Sequence, residues 1–310
     1  MAPEGGGDAV KFVSLHHHTT FSYQDGFGTP AQHAAQAAQY EMTALAVTEH
    51  GNSSSHPQHE KACEAAGIKP IFGLEAYTAL DPKSDRKFHL TILAMNQVGY
   101  ENLNRLITES WESFHRWPTV MGTNLARHQE GLIVLSGCSD SLLACSLLGG
   151  KAIEEADASW ERARDTAARF RMLLGDRYYL ECQIFPELPR AHQINQAWEK
   201  LGAELKIPLV GTADVHTLVP GQHEIRALLH AAGRGRNTIA QQMSGWEYEV
   251  PDYIPLSDVS VYERLLKTGM SKKATQQALA NTAEIASRCN VVLPKAEQFR
   301  YPATEEEMKW

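Results

Sequence analysis

The sharpest chemical feature of the sequence is a run of three histidines, His16-His17-His18, directly after the apolar segment Lys11–Leu15. Alternate side chains of a strand point to the same face, so His16 and His18 share one face and His17 faces away. Two imidazoles on one face at a strand end have the spacing of metal ligands. Surface histidines or a tag remnant are the alternatives, and the strand-like context argues against a tag.

The same pattern recurs near the other end of the chain. Asp214-Val215-His216 follows the apolar segment Ile207–Ala213. In an extended backbone Asp214 and His216 share a face. Two such pairs, each directly after an apolar strand, are less expected by chance than one.

Further apolar segments end on a side chain that can bind a metal. These are His50 after Ala44–Thr48, Glu75 after Pro70–Leu74 and Cys138 after Gly131–Ser136. His89 fits less well, because it stands at the start of its segment, and Asp25 either reaches inward or caps the Asp25-Gly26 turn. Each residue alone has a structural explanation, but their shared position favours one converging site. The histidines of helices and loops, His33 and His230 among them, are assigned no role in it.

Short apolar segments alternate with helical patterns along the chain, which predicts an α/β fold with a parallel sheet. The predicted strands are Lys11–Leu15, Ala44–Thr48, Pro70–Leu74, Phe88–Ala94, Gly131–Ser136, Arg177–Gln183 and Ile207–Ala213, with a short strand at Tyr248–Ile254. The predicted helices are Ala31–Met42, Pro57–Ala66, Tyr100–His115, Lys151–Leu174, Pro189–Leu205, Gln222–Ala232 and Ala274–Arg288. A closed barrel would place chemistry at the C-terminal strand ends. An open doubly wound sheet is the alternative, but no GxGxxG motif follows the first strand.

Composition excludes several classes of protein. The 310 residues are 43% hydrophobic and carry a formal charge of −8, which argues against coating nucleic acid by bulk charge. Five widely spaced cysteines fit reduced thiols in a cytoplasmic protein. No apolar run approaches the ~20 residues that span a bilayer, so no membrane role is expected. We expect residues 1–10 to be a flexible leader and residues 293–310 a connector or tail.

Six segments together resemble the polymerase and histidinol phosphatase (PHP) superfamily, and within it most closely the N-terminal domain of bacterial DNA polymerase III alpha subunits. They are LHHHTTFSYQDG (15–26), ALAVTEHGN (44–52), GIKPIFGLEAYTA (67–79), HLTILAMNQVGYENL (89–103), GLIVLSGC (131–138) and IPLVGTADVHT (207–217). Each segment is weak alone, but the set is highly specific. The resemblance implies a PHP domain over residues 11–292, folded as a distorted (β/α)7 TIM-like barrel with a mainly helical C-terminal extension.

The resemblance also implies a site for up to three divalent ions, zinc or manganese first, with iron or magnesium as options. The family's ligands fall on His16, His18, Asp25, His50, Glu75, His89, Cys138, Asp214 and His216. Glu75 is expected to bridge metals, with Asp214 completing the His16/His18 site, and Glu75, Asp214 and His216 are the catalytic candidates. Glu49 stands where the family usually has Asp, and Cys138 where several relatives have His; a thiolate favours zinc.

The activity that this resemblance implies is metal-dependent phosphoester hydrolysis, as a 3′→5′ exonuclease on DNA ends in replication. One alternative is a structural module that bound metals stabilise and that supports a polymerase. The other is a small-molecule phosphatase of the histidinol-phosphate type. Arg86 and Lys87 are candidate phosphate contacts, and Trp117 beside Arg116 could stack a base. With 310 residues there is no room for a polymerase palm. The chain is therefore not expected to polymerise DNA alone, and the remaining polymerase parts are expected partners.

Overall fold

The computed structural model describes residues 11–150, 153–234, 238–243 and 253–295. The predicted leader, most of the predicted strand Tyr248–Ile254 and the connector beyond residue 295 lie outside the described residues.

The strands of this described part form one curled sheet. They are β1 Ala44–Val47, β2 Lys69–Thr78, β3 Phe88–Ala94, β4 Thr119–Val120, β5 Leu132–Leu135, β6 Tyr178–Gln183 and β7 Leu209–Thr212. Their order is β1-β2-β3-β5-β6-β7, with β4 beside β2. The strands are short and mostly buried along their whole length, as expected where a sheet is covered on both faces.

The prediction of an all-parallel sheet is wrong at β3, which runs antiparallel to both β2 and β5. Parallel neighbours need a long crossover connection, usually a helix. The connection from Thr78 to Phe88 contains no helix, so β3 folds directly back along β2. The other neighbouring pairs of strands are parallel.

A short segment near the N-terminus closes the sheet into a distorted barrel. Ser14 forms a parallel bridge with Leu45 of β1, and His17 forms one with Val215 just after β7. The His18 amide donates to the Val215 carbonyl (2.8 Å), and the Ala46 amide donates to the Ser14 carbonyl (2.9 Å). The predicted strand Lys11–Leu15 thus contains a single bridge, at Ser14, and the second bridge lies just beyond it at His17. The predicted distorted barrel is confirmed.

Helices cover the outside of the sheet. They are α1 Pro30–Gln39, α2 His56–Ala66, α3 Gln97–Glu112, α4 Gly122–His128, α5 Leu142–Leu148, α6 Trp160–Leu174, α7 Pro189–Leu205, α8 His223–Arg234, α9 Ile239–Gln242, α10 Asp258–Lys267 and α11 Lys272–Arg288. Sequence reasoning missed β4, α4, α5, α9 and α10, all of ten residues or fewer. The predicted helix Lys151–Leu174 begins only at Trp160, because Ser159 caps it by accepting from the Arg162 amide.

The last helices form the predicted helical extension. Helix α11 packs onto the seam of the barrel, which we define as the contact between the N-terminal segment around His17 and the end of β7. Thr282 of α11 accepts a hydrogen bond from the Val13 amide (3.0 Å), and Asn281 donates to the Leu209 carbonyl of β7 (2.6 Å). The extension therefore supports both edges that meet at the seam. No described helix is both long and apolar enough to span a lipid bilayer.

Candidate metal centre

The predicted metal-binding side chains lie together at one end of the barrel. His50, three residues after β1, forms a parallel bridge with Glu75 inside β2, which is longer than predicted. His89 stands at the start of β3, opposite Tyr77 near the end of β2. Because β3 is reversed, its start lies at the edge where the parallel strands end, so the position that fitted the sequence pattern poorly fits the structure.

Glu75 lies at the centre of the cluster. Its Oε1 is 3.3 Å from His16 Nε2 and 3.0 Å from His89 Nδ1, and its Oε2 is 2.7 Å from His50 Nδ1 and 3.5 Å from His18 Nε2. Both carboxylate oxygens thus face ring nitrogens on different elements. This placement suits a carboxylate that bridges two cations.

Asp214 faces the same pair of histidines from the other side of the seam. Its Oδ1 lies 3.2 Å from His16 Nε2 and 3.5 Å from His18 Nε2. Asp214 has φ of +45°, a left-handed backbone that side-chain-bearing residues rarely adopt. Gln183 Nε2 donates to its Oδ2 (3.2 Å), which fixes the carboxylate.

A second group joins His18, His50 and His216, whose ligand atoms lie within 4.8 Å of one another. Asp25 completes this side, with Oδ2 2.9 Å from His50 Nε2 and 3.3 Å from His216 Nε2. Asp25 therefore reaches inward, in addition to standing in a turn.

A third group joins Glu75, His89 and Cys138, again within 4.8 Å. Cys138 Sγ is 3.6 Å from His89 Nδ1. Gly137 brings the two together, since its φ is +85° and a Cβ there would lie 2.4 Å from the His89 carbonyl oxygen. The structure thus brings all of the predicted ligand residues into one connected cluster.

Several buried atoms of this cluster make no hydrogen bond, although buried polar groups nearly always do. Close neighbours such as His50 Nδ1 and Glu75 Oε2 are not aligned for one. They are His16 Nε2, His18 Nε2, His50 Nδ1, Glu75 Oε2, Asp214 Oδ1 and His216 Nε2. All six are nitrogen or carboxylate oxygen, the donors that divalent ions such as zinc accept. The residues therefore fit bound cations, which would supply the missing partners.

The imidazoles and carboxylates of the cluster shift one another's pKa values. Burial alone would lower the pKa of His16, but the carboxylates of Asp214, Glu181 and Glu75 raise it well above the ordinary value. Burial would raise the pKa of Glu75, but surrounding imidazoles, His89 foremost, lower it well below the usual range. Protons and metal ions compete for such nitrogens, so metal binding there releases protons.

Sequence reasoning missed Glu181, a buried carboxylate inside β6. It accepts from His16 Nδ1 (2.6 Å) and also from the Thr91 hydroxyl, the Gly137 amide and the Thr212 hydroxyl. It therefore orients the His16 ring so that Nε2 faces the cluster, as carboxylates behind metal-binding histidines do. The available signal was a single carboxylate within the apolar strand pattern Arg177–Gln183.

Glu49 acts on the cluster indirectly, through Ser22. It accepts from the Ser22 hydroxyl (2.5 Å) and from the Thr19 amide and hydroxyl. Ser22 Oγ lies 2.8 Å from His18 Nδ1, so Glu49 orients the His18 ring through Ser22. Glu49 therefore lies beside, rather than among, the predicted ligands.

Helix α8 contributes two residues that sequence reasoning left out. Arg226 Nε and His230 Nε2 each lie 2.6 Å from Asp25 Oδ1, so both contact a predicted ligand from outside the predicted ligand set. Burial would raise the pKa of Asp25, but Arg226 and His216 hold it well below the usual range. Arg226 and His230 stand one helical turn apart, a spacing too common to single them out in a sequence.

The cluster opens into a cleft of about 1230 Å³, which we call the mouth cleft. Arg86 and Lys87 both line it. Lys87 is nevertheless buried and donates to the Pro82 carbonyl (3.2 Å), so its ammonium already has a structural role. Arg86 lies in an exposed part of the same loop.

Fold and site together define a TIM-like α/β barrel with a candidate multi-metal centre at its mouth. The family profile of the PHP domain matches residues 14–184, more than half of the chain. The chain belongs to the PHP domain family.

Two proteins similar to this chain are named as DNA polymerase III alpha subunits. DNA polymerase III subunit alpha of Treponema pallidum is 32% identical over 302 residues, and that of Thermus aquaticus is 29% identical over 307 residues. The alignments cover 92% and 95% of this chain but 24% of each relative, so the chain spans about a quarter of their length. A solved structure from Bifidobacterium adolescentis, described as a metal-dependent phosphoesterase, is 14% identical with a TM-score of 0.44, covering 66% of this chain and 87% of its own.

Proposed function

We propose that this chain is a metal-dependent phosphoesterase that removes nucleotides from the 3′ end of single-stranded DNA. The observation that carries the proposal is the set of six buried imidazole and carboxylate atoms that make no hydrogen bond, on residues of which four also line an open cleft: His50, Glu75, Asp214 and His216. The relatives are named as polymerase subunits, which favours a DNA strand as substrate and replication in the cytoplasm as the setting.

The proposed ligands are the nine residues of the cluster, with Glu75 bridging. Divalent ions held there supply an acidified water and neutralise charge on the phosphodiester. In the reaction the water oxygen joins the terminal phosphorus, the P–O3′ bond breaks, and the leaving 3′ oxygen takes up a proton. The chain's own part is to hold His16 and His18 in fixed orientations through Glu181 and Ser22. Zinc is the favoured ion near Cys138, because thiolates bind it well.

The test uses 3′-labelled and 5′-labelled single-stranded DNA with manganese or zinc. We expect the wild type to shorten the strand from its 3′ end and the double variant Asp214→Asn, His216→Ala to be slower by at least about a hundredfold. An Asp165→Asn variant, altered at an exposed carboxylate on α6, should match the wild type. Equal, slow degradation by wild type and double variant would overturn the proposal.

A metal-stapled structural module is the second candidate, favoured by the burial of His16, His18 and Glu75 deep in the barrel. It predicts that a chelator lowers the melting temperature while no DNA is hydrolysed. The small-molecule phosphatase is less favoured, because the mouth cleft is larger than the ~300–1,000 Å³ of most small-ligand pockets. In either case we propose the remaining parts of a polymerase as partners.

A further inference from the structure

Aromatic side chains form one wall of the mouth cleft. We define the aromatic strip as Tyr77, Trp111, Phe114 and Trp117, all of which line the cleft. Trp111 and Phe114 are each 50% exposed and Trp117 is 42% exposed. Single exposed apolar residues need no explanation, but several aromatics grouped beside a candidate active site mark a surface that another molecule covers.

One end of the aromatic strip contacts the metal cluster. The Tyr77 ring lies beside His50, with centroids 5.8 Å apart and planes 24° apart, and Trp117 contacts Tyr77 at a centroid distance of 4.9 Å. Trp111 and Phe114 stack on each other with nearly parallel planes, 7° apart at a centroid distance of 5.4 Å. Partly exposed aromatic faces thus line the cleft beside a candidate ligand.

We propose that the aromatic strip stacks the unpaired bases next to the 3′ end of a single DNA strand; this rests on the proposed function above. Every base has a flat π-face, and proteins that bind single strands without sequence preference use exposed aromatics in this way. A strand whose last phosphate lies at Glu75 has its preceding bases inside the same cleft.

The features of the cleft favour a nucleic-acid strand over a small phosphate ester or an apolar peptide. A small ester would fill only part of the cleft of about 1230 Å³ that the aromatic strip lines. The same cleft is lined by Arg86 and by Arg116, which pairs with Asp85 (2.8 Å), so basic and aromatic side chains line the same cleft. Cationic and aromatic side chains together suit a phosphate backbone with bases attached.

Binding to two oligonucleotides isolates the contribution of the bases. One is a phosphorothioate oligothymidylate, which resists hydrolysis, and the other is an abasic strand of equal length and charge. We expect the full, as-purified chain to bind the oligothymidylate more tightly. Trp117→Ala and Phe114→Ala should each weaken that binding by roughly tenfold while leaving abasic binding unchanged.

The controls separate stacking from structural effects. Trp117→Phe keeps a π-face and should retain most of the affinity, and Tyr40→Ala changes an exposed aromatic outside the cleft and should have no effect. Trp111 is left intact, because its indole N–H donates to the Gly51 carbonyl (2.8 Å) and so supports the loop after His50.

The outcomes distinguish this inference from the proposed function. If the wild type binds both oligonucleotides equally, binds neither, or keeps its preference in both alanine variants, the base-stacking inference is wrong, even where ordinary DNA is hydrolysed. If the preference is lost in the alanine variants but ordinary DNA is never hydrolysed, the strip binds bases and the proposed exonuclease activity fails.

Discussion

Glu181 is the residue on which the orientation of His16 most depends. It is fully buried behind the ring and accepts four hydrogen bonds, including the one from His16 Nδ1. A neutral amide of the same shape keeps the packing but replaces an acceptor oxygen by a donor. The His16 ring is then free to turn away from the cluster.

We therefore expect Glu181→Gln to lower metal affinity by about 10–100-fold, the range for residues that orient metal-bound histidines. The measurement is zinc competition against a chromophoric chelator, with circular dichroism to check that the variant folds. Glu161→Gln, at an exposed position of α6, is the matched control. Unchanged zinc affinity in a folded Glu181→Gln protein would contradict the assignment.

Cys138 is the soft donor of the third group. Cys138→Ser should reduce the zinc retained after limited dialysis by about one ion per chain, because a hydroxyl is a much poorer zinc ligand than a thiolate. Metal analysis of the dialysed proteins provides the measurement. Cys63→Ala is the control, because burial raises the pKa of Cys63 to about 12 and keeps it a neutral thiol. Equal zinc content in the Cys138 variant and the wild type would refute a ligand role.

At the scale of elements, the seam between the N-terminal segment and β7 depends on α11. Thr282 of that helix accepts the Val13 amide, which is otherwise buried. Thr275, on the same helix, is equally buried, and its hydroxyl has no partner. Thus one helix offers two buried threonines with opposite hydrogen-bonding states.

We expect Thr282→Val to lower the free energy of unfolding by about 1–3 kcal/mol, because it leaves a buried amide unsatisfied. Thr275→Val removes a hydroxyl without a partner and should be neutral or slightly stabilising. Urea unfolding of both variants is the measurement. Similar losses in the two variants would show that the cost comes from packing and not from the seam.

The direction of β3 marks the limit of what element patterns predict. The apolar segment Phe88–Ala94 was predicted as a strand with the observed bounds, and the helical pattern of Pro189–Leu205 as a helix with the observed ends. Hydrophobic periodicity carries no information on strand direction, so the antiparallel pairing was not predicted. The predicted ligand residues still converge, because most follow strands whose ends share one edge.

The residues that sequence reasoning missed act through partners distant along the chain. Glu181 contacts His16 and Arg226 contacts Asp25, and neither contact follows from local spacing. Ligands at strand ends are readable from a sequence because the fold class fixes where strand ends lie. The residues that orient them are not, because they depend on packing between elements.

At the scale of the whole molecule, buried neutral histidines couple stability to pH. Burial lowers the pKa of His33 to about 4, of His56 to about 3 and of His59 to about 4. In the unfolded chain these groups titrate near ~6.5. Below that pH the unfolded state binds more protons, so the protein loses stability as the pH falls from 6.5 towards 4.

Each such histidine contributes a slope of about 1.4 kcal/mol per pH unit across that window. We expect the free energy of unfolding of His59→Phe to change less steeply with pH than that of the wild type. The difference is the ~1.4 kcal/mol per pH unit that one proton contributes, whatever the stability of the variant at pH 7. Denaturant unfolding of metal-free protein at pH 7, 6 and 5 measures this. The stability of His115→Asn, altered at an exposed position, should change with pH as that of the wild type does. The same result for His59→Phe would contradict the prediction.

The bridge between His17 and Val215 has a consequence for synthesis of the protein. The segment with the first two candidate ligands is completed by residues made about two hundred positions later. A ribosome-bound chain that ends before β7 has one unpaired barrel edge and lacks Asp214 and His216. The proposed cation site is therefore complete only after the last strand has emerged, which would make metal uptake a late event in the life of each molecule.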